Sequence, residues 1–183
     1  MLQVPLFADA DSSDALVKLN AGLQERADYW QAWLADNAET ENFITVKPLV
    51  METENYLSVI LYEDEAPTYG SDGKVNAFVW DKLTDSAMDE DLAWALAGAT
   101  DEDVAAALVQ YIADNMNVEG TDFRWQEFVT QGYFVDADGK AALILDTLIT
   151  DKTPDGADDW QHLLIYKDGK IVGKLIEDIR TEN

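Results

Sequence analysis

The sequence predicts an α+β fold in which helices pack on an antiparallel sheet, within a single domain of 183 residues. The periodic segments run in the order helix, strands, two helices, strands, without the regular alternation that builds a parallel sheet. Asp138-Gly139 and Asp168-Gly169 stand between apolar runs and are tight-hairpin signals. No linker rich in Pro, Gly or Ser divides the chain, so residues 1–70 and 71–183 are predicted to form one unit.

The front part reads as one helix followed by strands. Ser12, Ser13 and Asp14 offer N-caps for the helix. Its apolar positions share one face and are Leu16, Leu19, Leu23, Trp30 and Leu34. Runs typical of strands cover 43–51, 56–63 and 75–80, and a turn is predicted at 69–74. Pro48 cannot donate to a strand ladder, so we expect it at an edge, a bulge or a strand start.

The closing part begins with two helices. One covers 89–97 and can end at Gly98, and Thr100 with Asp103 resembles a capping box that starts the other at 104–115. A further short helix is predicted at 123–129.

A three-stranded meander follows, with strands at 133–135, 142–149 and 163–166. Residues 151–159 contain Pro154, Gly156 and four aspartates, so a surface loop is predicted there. Residues 171–176 form either a last strand or a short amphipathic helix.

The charge of the chain restricts its partners. The 37 acidic and 12 basic residues give a net charge of -25, which repels nucleic acid and anionic membrane surfaces. The same field favours the approach of basic proteins, although high solubility alone would also explain it. The absence of cysteine excludes disulfides, thiolate metal sites and cysteine nucleophiles.

No reaction motif is present, so we predict no enzyme activity, no catalytic residues and no cofactor. His162 is the single histidine and has no nucleophile-elbow pattern beside it. The glycine motifs that bind nucleotide phosphates, G-x-x-x-x-G-K-S/T and G-x-G-x-x-G, do not occur in the sequence. Read as an EF-hand loop, the segment around Gly139 would need acidic ligands where Phe134 and Leu145 stand. Aspartates near Gly156 could hold a hard cation, but a solvated acidic loop is the usual meaning of such a run, and no metal site is predicted.

The predicted contact surface combines the turn at 69–74 with the acidic loop at 151–160. Loops held by a rigid scaffold commonly carry binding residues, and Trp160 is expected to be exposed. The candidate binding residues are Tyr69, Asp72, Asp155, Asp158, Asp159 and Trp160.

The chain also resembles the secreted module of RsiV-type lysozyme-sensing anti-sigma factors, which PdaC-like peptidoglycan deacetylases carry outside their catalytic domain. The similar stretches cover most of the chain: Val4-Pro5-Leu6, Leu16 to Asn20, Tyr56 to Val59, Tyr69-Gly70, Asn76, Phe78, Asp81, Tyr133 to Asp136, Leu143 to Leu145, Gly156 and Leu163 to Tyr166. Ser71-Asp72 departs from the family's Ala-His, and the glycine usual after Asp81 is absent. The resemblance implies an exported or cell-envelope binding module of a bacterium.

We therefore expect a non-catalytic, extracellular or cell-envelope module whose ligand is a basic protein or a cell-wall component. An envelope glycan hydrolase with two carboxylates in a cleft is one alternative. A structural or inhibitory domain of a larger exported protein is another. The chain has no basic n-region followed by an apolar h-region, so export would require a signal outside this sequence, and a cytoplasmic location stays open.

Overall fold

The computed structural model describes residues 5–7, 13–39, 43–66, 73–116, 122–153 and 156–175, and it confirms the α+β class. The elements of these residues are α1 (Asp14–Asp36), β1 (Phe43–Glu52), β2 (Tyr56–Ala66), β3 (Lys74–Asp81), β4 (Ser86–Ala87), α2 (Glu90–Ala97), α3 (Asp101–Asn115), β5 (Asp122–Val135), β6 (Ala141–Thr153), β7 (Gly156–Lys167) and β8 (Lys170–Lys174). The strands form two antiparallel sheets, not the one sheet that the sequence suggested. Sheet A has the order β1-β2-β3-β4, and sheet B has the order β5-β6-β7-β8.

The helix boundaries follow the capping signals of the sequence. Ser13 caps α1 by accepting the backbone N–H of Leu16 at 3.1 Å. Gly98 ends α2 in the left-handed conformation, with φ 61°, where a side chain would be strained. Thr100 and Asp103 form the predicted capping box of α3. Leu34 departs from the prediction, since it is exposed near the end of α1, whereas Trp30 is fully buried.

Three predictions about the strands are corrected or resolved. Residues 123–129 lie in β5 and not in a helix. The expected loop at 151–159 lies almost wholly in β6 and β7, where Asp151 pairs with Asp158. Residues 170–174 form a strand. Pairing across the β6–β7 hairpin satisfies the backbone of 151–153 and 156–159, so this acidic run is a paired ladder and not a loop.

The layers stack in the order α1, sheet A, sheet B, then α2 with α3. The contact of α1 with sheet A is built from Leu19, Leu23, Trp30, Val59 and Leu61. The two sheets meet through Ile60, Tyr62, Val75, Phe134, Ala142, Ile144, Leu163 and Ile165. The other face of sheet B packs on α2 and α3 through Ala93, Val104, Leu108, Ile112, Leu143, Leu145 and Leu164. Each sheet therefore has apolar residues on both faces, which explains the seven consecutive buried residues 57–63 of β2.

A close seam joins β5 to sheet A. The backbone N–H of Val135 donates to Ser58 Oγ at 3.0 Å, and that of Val75 donates to Gln131 Oε1 at 3.1 Å. Between these bonds Gly132 lies so close to β3 that an added Cβ would stand 2.6 Å from the Cβ of Ala77. The seam fixes the position of β5 relative to β3.

A buried ion pair ties α1 to sheet A. The Glu63 side chain is 1% exposed, and two guanidinium nitrogens of Arg26, Nε and Nη2, donate to its two carboxylate oxygens, with Nε 2.9 Å from Oε1. Asn76 Nδ2 adds a third donor at 2.7 Å. Because a buried carboxylate is stable only when charge and hydrogen bonds compensate its desolvation, this group is fully committed to structure.

Two neighbouring turns of sheet B are cross-linked by charge. In the β5–β6 turn, Asp136 Oδ1 accepts the backbone N–H groups of Asp138 and Lys140. The Asp136 carboxylate also pairs with Lys167, which precedes the β7–β8 turn, while Lys140 Nζ lies 2.5 Å from Asp168. Burial raises the pKa of Asp136, but the bonds from Lys167, Lys140 and Asp138 outweigh it, so the pKa is lowered overall.

Candidate functional site

Two of the residues predicted as a contact surface, Asp159 and Trp160, have described side chains. Tyr69, Asp72 and Asp155 lie outside the described residues, and for Asp158 only the backbone is described. Asp159 and Trp160 are exposed neighbours on β7. Their side chains point to opposite faces of sheet B, because adjacent strand residues alternate. Asp159 pairs with Thr150, whereas Trp160 pairs with Ile149, which belongs to the helix-covered face.

Sheet B is longer than the layer that covers it. The part of sheet B that contacts sheet A ends near Ile144 and Leu163, while β6 and β7 continue beyond these residues toward their shared hairpin. We call the part beyond this contact, residues 124–131, 146–150 and 159–162, the open half of sheet B. Its β5 and β7 residues are exposed or half-buried, whereas Asp146, Thr147, Ile149 and Thr150 of β6 are buried. Val129 lies there with 62% of its surface exposed. A singly exposed apolar residue is normal on a protein surface, so Val129 is informative only together with the groove that it lines.

A groove of about 300 Å³ lies on the open half, on the face that sheet A covers elsewhere. Its lining consists of Glu127, Val129, Asp146, Leu148, Asp159 and Gln161. Val129 and Asp146 stand opposite each other in the β5–β6 ladder, and Leu148 is paired with Gln161 across to β7. The groove therefore combines two apolar side chains with three carboxylates, and its lining contains no basic residue.

Asp146 is the most buried acid of this groove, at 8% exposed. Its Oδ2 accepts Gln131 Nε2 at 2.6 Å and also accepts Gln161 Nε2. Burial raises the pKa of Asp146, and the negative charge of Glu127 raises it further. The two amide hydrogen bonds lower it, but the pKa is raised overall. Gln131 is itself held by the N–H of Val75, so sheet A positions the donor that orients Asp146.

Asp146 has no ion-pair partner in the described part of the chain, unlike Glu63. Two neutral amides stabilise its ionised form only partly, as the raised pKa shows. A cation entering the groove would supply the compensation that Arg26 gives to Glu63. The arrangement is therefore suited to bind a lysine or arginine side chain.

A second concavity of about 450 Å³ lies on the other side of β5, next to the start of α3. We call it the helix-side pocket, and it is lined by Asp101, Glu102, Ala105, Trp125, Gln126, Glu127 and Phe128. The rings of Trp125 and Phe128 are 6.1 Å apart at an interplanar angle of 53°. Glu127 lines both the groove and this pocket, so the edge of β5 separates two acidic concavities.

The remaining chemical candidates are accounted for by structure. His162 Nδ1 lies 2.8 Å from Lys174 Nζ on the neighbouring strand β8. Asp136 and Asp138, which resemble an EF-hand only in sequence, cap a hairpin turn. Across the described residues, no group of three or more histidine and carboxylate side chains is placed to hold a metal ion.

Two features of the sequence hide the residues of the groove. The helix predicted at 123–129 concealed the alternation of Glu127 and Val129 on a strand. Asp146 stands alone within the otherwise apolar or neutral run 141–150, and a single acid in a strand of that kind is a usable signal of a buried carboxylate. Gln131 and Gln161 carry no comparable signal, because their roles depend on long-range packing.

The comparisons with known proteins identify no relative. No protein-family model matches the chain, and no curated protein or solved structure matches it. Among the described residues, no helix has both the length and the apolar character needed to cross a membrane.

Proposed function

We propose that the chain is a non-catalytic binding module for a basic protein and that the open half of sheet B is its contact surface. The observation that carries the proposal is Asp146, a buried carboxylate that lines an accessible groove and that, within the described residues, has no cationic partner of the kind that Arg26 gives Glu63. The chain's net charge of -25 supports it, because a summed negative field speeds the approach of a basic ligand. The resemblance to an envelope module adds an extracellular or cell-envelope location to the proposal.

The groove is suited to a protein ligand because its apolar and charged residues are interleaved. Val129 and Leu148 can pack against the methylene stem of a lysine or arginine, while Glu127, Asp146 and Asp159 contact its charged end. Trp160, exposed by 44%, points to the opposite face near the same hairpin and is not part of the groove.

The test uses lysozyme as a basic protein probe and measures its affinity by titration calorimetry at low and high salt. The expected result is binding that weakens with salt, and a loss of at least about tenfold in the Asp146→Asn/Asp159→Asn variant. The matched control is Asp14→Asn/Glu54→Gln, which removes the same charge at sites outside the groove. Equal losses in both variants, or no binding by the wild type, would contradict the proposal.

One observation favours a second candidate, an envelope glycan hydrolase. Glycosidases use a carboxyl group with a raised pKa beside a second carboxylate. The pKa of Asp146 is raised, and the negative charge of Glu127 contributes to the rise. Release of new reducing ends from peptidoglycan fragments, abolished by Asp146→Asn, would support the hydrolase. The binding proposal predicts no turnover in the same assay.

A further inference from the structure

We propose that the ligand contributes an extended basic segment that adds to sheet B as a fifth strand along residues 125–130 of β5. This inference rests on the proposed function, because it specifies how the same surface binds its basic partner. It assigns the recognition to a strand edge together with the two concavities beside it.

One edge of sheet B is unpaired along part of β5. Within the described residues, β5 pairs only with β6, so its other side ends the sheet. Near Gly132 and Val135 that side is occupied by the seam with sheet A. Residues 125–130 lie before the seam and beyond the layer of sheet A. An unpaired strand edge of this kind is a template for pairing with another extended chain.

Each side of this edge has a concavity. The groove lies on one face of β5 and the helix-side pocket on the other, with Glu127 lining both. Successive side chains of an added strand would alternate between these faces. One set would therefore meet Glu127, Val129 and Asp146, and the other would meet the helix-side pocket.

The chemistry of both concavities favours the same type of residue. Asp101 and Glu102 give the helix-side pocket a negative rim above the aromatic pair Trp125 and Phe128. Arginine is suited to this combination, since its guanidinium can pair with carboxylates and stack on aromatic rings. Lysine or arginine suits the groove, because the two apolar side chains there can pack on its methylene stem while the three carboxylates contact its charged end. The partner segment is accordingly rich in arginine and lysine on both of its faces.

The charge of the chain excludes an occupant from the same protein. The segments outside the described residues, which are 1–4, 8–12, 40–42, 67–72, 117–121, 154–155 and 176–183, contain one basic residue, Arg180, and each is neutral or acidic overall. A second copy of the chain also carries a charge of -25. Charge complementarity therefore commits the edge to a different, basic partner.

Two irregularities limit the length of the added strand. The β5–β6 register shifts between Trp125 and Glu127 and again between Thr130 and Gly132. Bulges increase strand twist and discourage unlimited edge-to-edge association. The first shift lies within the proposed edge, so the regular edge between the two is residues 127–130, and with its flanks it accommodates a segment of about five to seven residues.

The test uses a blocked peptide of about eight residues, within the usual length of a strand, that alternates arginine and valine. The matched control is the same peptide with every backbone nitrogen methylated, which keeps the side chains and charges but removes all N–H donors. The expected result is binding of the first peptide and at least about tenfold weaker binding of the second, because an added strand depends on backbone hydrogen bonds.

Amide hydrogen exchange measured with and without the first peptide locates the contact. We expect slower exchange at residues 125–130 and no change at the edge of sheet A in β1. The Glu127→Gln variant, which alters both concavities, should weaken the peptide more than Glu54→Gln does.

The outcomes separate the two proposals. Equal binding of both peptides, with a loss in Asp146→Asn/Asp159→Asn, would overturn strand addition and leave the basic-protein module standing. Lysozyme binding without peptide binding would likewise overturn strand addition alone. Failure of lysozyme and both peptides to bind would contradict both proposals.

Discussion

Sheet A and sheet B each contain a buried carboxylate, and the two carboxylates differ in what compensates their charge. Glu63 in sheet A accepts hydrogen bonds from the guanidinium of Arg26 and the side-chain amide of Asn76, and its side chain is almost wholly buried under α1. Asp146 in sheet B accepts hydrogen bonds from two side-chain amides and lines a groove. Sheet A is covered by α1 where its acid lies, whereas the acid of sheet B, although buried, lines a surface groove.

This difference separates a structural charge from a charge available for binding. Burial alone does not distinguish the two, because both side chains are at least nine-tenths buried. The distinction lies in the neighbours: a paired carboxylate has its interactions satisfied, and one held only by neutral donors retains an unfavourable ionised state. Four substitutions test this difference, with expected effects on the free energy of unfolding that decrease from the first to the last.

The largest effect is expected from Arg26→Met, which leaves Glu63 buried without a cation. Removal of one partner of a buried pair costs about 3–5 kcal/mol, because the remaining charge is uncompensated. Urea denaturation at neutral pH measures the free energy of unfolding. The matched control is Lys82→Met, whose partner Glu52 is 69% exposed and whose loss should cost at most about 1 kcal/mol. Equal losses would show that the Arg26 pair is not structural.

A loss of about 1–3 kcal/mol is expected from Gly132→Ala, because the new methyl group would overlap Ala77 across the seam between the sheets. Thermal or urea unfolding measures the loss. Adding Ala77→Gly makes room for the methyl group, so the double variant should be more stable than the sum of the two single changes predicts. Strict additivity would contradict the close approach of β5 to β3.

Asp136→Asn should cost about 1–2 kcal/mol near neutral pH, because the ionised group accepts bonds from Lys167 and from backbone N–H groups. The folded pKa of Asp136 is lowered, so its contribution to stability is present above the ordinary carboxyl pKa and is lost as the pH falls through the folded pKa. Stability measured from pH 7 to pH 2 should therefore show the two proteins converging in acid. A constant difference would contradict this assignment.

The smallest effect on the free energy of unfolding is expected from Asp146→Asn. This variant should be more stable than the wild type at pH 7, whereas the other three changes destabilise the protein. The folded pKa of Asp146 is raised, so the wild type loses stability as the pH rises from the ordinary carboxyl pKa through the folded pKa. The amide variant should be more stable than the wild type at pH 7, by at most about 1 kcal/mol, and equal to it in acid. The same denaturation series measures it. Destabilisation at pH 7 would show that Asp146 is already fully compensated.

The sequence was sufficient wherever local chemistry decides the structure. Ser13, Thr100 with Asp103, and Gly98 mark helix ends because capping involves only neighbouring residues. The two Asp-Gly turns also lie where predicted, with Gly139 and Gly169 at φ 76° and 77°. Pro48 occupies the edge strand β1, as its missing donor requires.

The sequence was insufficient wherever long-range packing decides it. The acidic composition of 151–159 suggested a loop, but cross-strand pairing to β6 overrides composition. The division of the strands into two stacked sheets depends on contacts such as Val135 with Ser58, which are 77 residues apart. The groove depends on the same packing, since only the stack of layers determines where sheet A stops and Asp146 opens to solvent.

The meander order of each sheet has a consequence for folding during synthesis. Every ladder joins strands that are consecutive in the chain, so α1 and sheet A can form before β5 leaves the ribosome. At that stage Ile60, Tyr62 and Val75 have no partner layer, because the residues that cover them come from β5 to β7. Completion of sheet B protects this nascent surface from aggregation. Delayed translation of the second half should therefore favour chaperone binding to the first.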